Sequence, residues 1–134
     1  MNFSFTNNFD RCENALISYR NDEYIQINLP ADFVFPTTNQ TQTVNLNNTN
    51  VLNYCIFKDF ISIDEANPCE FPNKPIKENW QVTNGSLEIE TTVVSNSAGA
   101  VTGYRHNLKL VQAQFKKDET TFSIADRNLG NYNL

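Results

Sequence analysis

The stretch SLEIETTVVSNSAGAVTGYRHNLKLVQAQFKK, residues 86–117, decides the fold. Its first arm, Ser86–Ser95, places Leu87, Ile89, Thr91 and Val93 at every second position. That is the period of a strand with one face on a core. Asn96–Gly99 supplies the small, polar residues of a hairpin turn. The return arm, Thr102–Lys117, sets Tyr104, His106, Leu108 and Leu110 on one face. Phe115 falls in the opposite phase, which predicts a bulge near Val111–Ala113.

Outward from this hairpin the same pattern repeats. Trp80 and Val82 suggest a strand ending in a tight turn at Asn84-Gly85. Asp118-Glu119 turns into Thr120–Ala125, a further strand carrying Phe122 and Ile124. Ala15–Tyr19 and Glu23–Leu29 flank the polar turn Arg20–Asp22, with Ile25, Ile27 and Leu29 expected inward. Pro30 ends that strand and Pro36 limits Asp32–Phe35. In the polar tract Thr37–Asn50, Thr41–Leu46 reads as a short solvated edge strand and Asn47–Asn50 as a turn. Val51–Phe60 is the most hydrophobic strand, and Asn2–Thr6 alternates Phe3 with Phe5. Ser62–Asn67 carries Glu65 at the capping-box spacing for one short helical turn, before an irregular connection rich in proline. No long helical window is present. The expectation is an all-β, antiparallel two-sheet β-sandwich of eight or nine strands, forming a single domain over residues 1–134.

The 134-residue length suits one domain with a proper core, and ten Phe, five Tyr and one Trp provide its volume. Asn makes up about a sixth of the chain. Asn and Thr compete with helical backbone hydrogen bonds, and instead favour turns and strands. The net charge of −5 and scattered Lys and Arg disfavour nucleic acid, whose binding draws on clustered cations. No apolar run is long enough to span a bilayer. Residues 1–20 have neither the basic start nor the apolar core of a signal peptide. The chain therefore reads either as cytoplasmic or as the mature part of an exported protein.

Cys12 and Cys69 lie in polar, turn-like surroundings, whereas Cys55 lies in the apolar run VLNYCIFKDF. A Cys12–Cys69 disulfide is the expected pairing, leaving Cys55 as a small buried hydrophobe. Closing so long a loop contributes roughly 4 kcal/mol in the chain-entropy account. With no CxxC and one histidine, a zinc site is not expected.

The segment from Trp80 to Lys117 is similar to the C-terminal part of small lipoproteins of flavobacteria and related Bacteroidetes, through Thr102, Gly103, Tyr104, His106, Leu108 and Leu110. Phe3, Phe5, Cys12 and Cys69 fit the front of the same pattern, to which Cys55 is extra. The resemblance covers most of the chain, but its motifs are structural. It implies a cell-envelope location, periplasmic or on the outer-membrane surface. Membrane attachment would run through a lipid anchor missing from this chain.

No catalytic residue, cofactor or metal is expected. His106, the sole histidine, would have to carry any acid–base chemistry. Asp59, Asp64 and Glu65 lack calcium-loop spacing, and Glu88 with Glu90 reads as a solvated face. Trp80, Tyr24, Tyr54 and Tyr132 could form an aromatic platform for sugars, although core packing is the plainer reading for Trp80. Trp80, Tyr104 and His106 are the candidate ligand surface. The leading expectation is a non-enzymatic domain of the cell envelope that binds or scaffolds, its partner unknown, with a glycan or another envelope protein as the candidates. The alternatives are a carbohydrate-binding module and, behind it, a small hydrolase using His106.

Overall fold

A computed structural model describes residues 8–47, 51–60 and 74–134. The described residues form eight strands, β1 Asp10–Cys12, β2 Ala15–Arg20, β3 Glu23–Asn28, β4 Gln40–Asn45, β5 Leu52–Phe57, β6 Ile76–Ser95, β7 Val101–Lys117 and β8 Thr120–Asn133. All pairings are antiparallel and all strands belong to one sheet, in the order β1-β2-β3-β5-β6-β7-β8, with β4 pairing to β6. β4 and β5 share the same edge of β6, β5 against Ile76–Gln81 and β4 against Ser86–Thr91. The two ends of the sheet meet, because the Phe9 amide ahead of β1 donates to the Asn131 carbonyl of β8 over 2.8 Å.

Alternation places one apolar cluster on the inner face of this sheet. It runs from Leu16, Ile25 and Ile27 through Leu52 and Tyr54 to Val82, Leu87, Ile89, Leu108, Leu110 and Phe115. On the opposite face of β2, β3 and β5, Ile17, Tyr24, Cys55 and Phe57 make a second, smaller cluster. Both faces of these central strands are therefore apolar, which explains why β5 reads as a continuous hydrophobic run.

The β6–β7 hairpin follows the expected alternation, and the turn at its tip is closed by Asn96 and Gly99. The bulge lies where the phase of Phe115 requires it. Leu110 is buried, Gln112 has a φ of 50°, and burial resumes at Ala113 and Phe115. The β2–β3 hairpin turns at Asn21, and Ile25, Ile27 and Leu29 point inward. β4 is the short edge strand expected at Thr41–Leu46, displaced by one residue towards the N-terminus.

Three local expectations change. Asn84-Gly85 is not a turn, because β6 runs straight through it. Gly85, with a φ of +112°, faces the β7 bulge instead of reversing the chain. The left-handed geometry that an Asn-Gly pair favours serves either use. Cys12 lies in β1 rather than in a turn. The last strand continues past Ala125 to Asn133, with its pairing shifted beside Leu108 and Lys109. That irregularity hides the strand from a period-two reading. The expected strand Asn2–Thr6, the capped turn Ser62–Asn67 and most of Asn47–Asn50 lie outside the described residues.

Candidate functional site

The chain between β3 and β4 packs against the main apolar cluster through Phe33 and Phe35. Pro30 cannot donate a ladder hydrogen bond, so β3 stops there. The Phe33 amide then donates to the Pro30 carbonyl over 3.0 Å, bending the chain. Phe33 and Phe35 lie two apart and meet edge to face at 5.0 Å. Phe35 plugs the inner face, 4.6 Å from the His106 ring and 5.0 Å from Tyr132, with the Arg11 guanidinium 5.5 Å above it. Val34 points the other way and is 76% exposed.

His106 sits beneath this plug, fully buried. Its Nδ1 shares a 2.8 Å hydrogen bond with Thr91 Oγ1, its cross-strand partner, and its ring stacks on Tyr132 at 5.9 Å. Nε2 is buried and finds no partner among the described residues. Burial lowers the imidazole pKa, because a charged ring loses its hydration there. A general acid or base needs reach to a substrate, and this ring has none from solvent.

Because β3 ends early, β4 keeps one edge unpaired among the described residues. Between that edge and the loop runs a groove of about 480 Å³ lined by Pro30, Phe33, Gln42, Thr43, Val44 and Asn45. Oε1 of Gln42 is buried there with no hydrogen-bond partner among the described residues.

The other end of β6 is polar. Trp80 packs edge-on against Phe122 at 4.9 Å and donates its indole N–H to Glu78 over 3.1 Å. Lys117 lies 5.3 Å over the indole and 3.6 Å from Glu78, closing the ring off. A shallow groove of about 440 Å³ beside it presents Lys77, Asn79, Gln81 and Lys116. Deeper in the core the Tyr54 hydroxyl donates to the buried Glu23 carboxylate. Burial, first, and then this hydrogen bond raise the Tyr54 pKa.

The structure does not bring the expected ligand residues together on a surface. Trp80 and His106 are buried and lie in different parts of the sheet, with Trp80 opposite Tyr54 and His106 opposite Thr91. Tyr104 is half-buried on β7. Tyr24, Tyr54 and Tyr132 are also buried, so the four aromatics make no exposed platform. Core packing, the plainer reading of Trp80, holds.

Glu88 and Glu90 face outward, across from Lys109 and Asn107. Asp59 is exposed, Asp64 and Glu65 lie outside the described residues, and no group of three His, Cys, Asp or Glu among the described residues could hold a metal. Cys55 is a free, buried thiol that donates to Asn79 Oδ1 over 3.3 Å, and burial pushes its pKa up to about 11. Cys69 also lies outside the described residues.

Sequence reasoning missed Phe33, Val34 and Gln42. The available signal was the bracketing of an aromatic pair by Pro30 and Pro36, next to a tract without charge. No family model, curated protein or solved structure matches this chain.

Proposed function

We propose that this is a non-enzymatic binding or scaffolding domain of the cell envelope whose partner is another envelope protein. The observation that carries the reading is the placement of the reactive side chains. His106, Cys55 and Trp80 are enclosed in packed clusters, while the described residues leave accessible a bare strand edge and shallow grooves. Such surfaces suit recognition of a macromolecule better than chemistry on a small substrate. Glycan recognition is the weaker reading, because the aromatics that would stack on sugars are buried.

The sheet is proposed to fold over itself as two facing layers, a sandwich fed by residues from both ends of the strand order. The envelope location rests on the lipoprotein-like pattern and on the Cys12–Cys69 bridge suited to an oxidising compartment. Cys55 is a free cysteine and Cys12 is not one, which supports the bridge.

The natural gene expressed in its own host tests the location. The protein is expected in the membrane fraction, released by detergent and resistant to salt, and recovery in the soluble cytoplasm overturns it. Thiol titration in denaturant without reductant is expected to find one of the three cysteines free. Three free thiols would remove the bridge.

A further inference from the structure

The edge of β4 that no described strand pairs carries a more specific inference, which rests on the binding reading above. The Leu46 amide donates to the Gly85 carbonyl on β6, so the even-numbered residues of this segment turn their backbone groups towards β6. The N–H and C=O groups of Thr41, Thr43 and Asn45 therefore face away from the sheet, because direction alternates along an antiparallel strand. All three residues are exposed. The side chains of Gln42 and Val44 share the inward phase of Leu46, and both line the adjoining groove with Phe33.

Unpaired edges invite association, and natural proteins blunt them with charge, proline, bulges or short length. The other edges of this sheet are guarded in these ways. β1 has only three residues, two of them Asp10 and Arg11, and Phe9 ties its approach to β8. β8 carries Asp126, Arg127 and a shift in pairing. By contrast, no charged residue occurs anywhere from Thr37 to Asn50, and β4 contains neither proline nor bulge. Gln42 lines the adjoining groove, and its Oε1 is buried without a hydrogen-bond partner among the described residues.

We propose that β4 is a docking edge that takes an extended strand of a partner polypeptide by β-addition. The incoming backbone pairs with Thr41, Thr43 and Asn45. Its side chains then alternate, and those on the inner side enter the groove between Phe33 and Val44. An apolar residue at every second position is the chemistry this edge recognises.

The probe is a capped peptide alternating threonine with valine over about seven residues, the length of an ordinary strand, with a terminal lysine at each end for solubility. Titrated against the full chain and followed by amide NMR, it is expected to give saturable shifts centred on Thr41, Thr43 and Asn45. N-methylating the peptide on its pairing edge is expected to abolish them without any change to the protein. Thr43→Pro removes an outward N–H while sparing the β4–β6 ladder, and is expected to weaken binding about tenfold or more.

Absence of shifts at these amides, or equal binding of the N-methylated peptide, overturns the proposal. So does a concentration-dependent dimer that blocks the same amides, since the occupant is then a second copy of this chain. Such a negative result alongside envelope fractionation leaves the broader reading standing and removes only this edge. Cytoplasmic recovery with positive shifts does the reverse.

Discussion

His106 is held with Nδ1 on Thr91 and its ring between Phe35 and Tyr132, so protonation would put a charge into an apolar enclosure. The Arg11 guanidinium, of the same sign, lies 5.5 Å over the Phe35 ring of that enclosure. Burial lowers the folded-state pKa below the ordinary value of 6.5. The unfolded chain then binds the proton more readily, so stability rises with pH across this window and is lost as pH falls below about 6.5. Urea unfolding from about pH 7 to pH 5 is expected to show a falling midpoint for the natural protein. His106→Gln is expected to flatten that slope, and a slope unchanged in the variant would place the titrating group elsewhere.

Tyr54 makes the complementary case at the same scale. Its hydroxyl donates to a carboxylate that is itself buried, so Tyr54→Phe removes a donor without changing the volume of the core. A cost of about 1–3 kcal/mol in unfolding free energy is expected, the range for impairing a buried hydrogen bond to a charged group. A change below about 0.5 kcal/mol would mean that other donors already satisfy Glu23.

At the scale of elements, Gly85 and the β7 bulge are one device. A Cβ on Gly85 would come within 2.7 Å of both Ala113 Cα and the Gln112 carbonyl oxygen, and the φ of +112° disfavours any side chain. Gly99 also has a positive φ, +85°, but its Cβ would meet nothing within 4 Å. Gly85→Ala is therefore expected to destabilise by about 2 kcal/mol or more, through strain and collision together. Gly99→Ala should cost about 1 kcal/mol or less, from conformation alone. Equal effects in thermal unfolding would show that the bulge does not press on Gly85.

The same pair marks the limit of what could be read from residues alone. The phase slip between Leu110 and Phe115 was legible, because alternation reports which face a residue takes. Whether Asn84-Gly85 reverses the chain or only bends it was not, since both use a left-handed residue and only the partner strand decides. β8 was legible as far as Ala125 and then lost its period at the irregularity beside Leu108 and Lys109. The docking groove was less legible still. It arises where Pro30 stops β3 short of β4, a consequence of pairing that no local pattern states. Burial of Trp80 depends likewise on Phe122 and Lys117 reaching it from other strands.

At the scale of the whole molecule, the contact between the sheet's two ends makes a prediction about cooperativity. The Phe9 amide bonds to Asn131, and its ring is buried in the same cluster that includes Leu16, Leu108 and Leu129. That cluster continues without a break to Trp80, which lies against Phe122 far along the strand order from β1. Continuity of one core implies that the ends cannot unfold separately. Trp80 is the sole tryptophan, so fluorescence reports on one region while far-UV circular dichroism reports on the whole sheet. The two transitions in urea are expected to coincide. Phe9→Ala deletes a buried ring and is expected to cost about 3–5 kcal/mol, moving both transitions by the same amount. If the dichroism midpoint falls while the Trp80 signal stays in place, the two ends of the sheet are independent units and the single-core account fails.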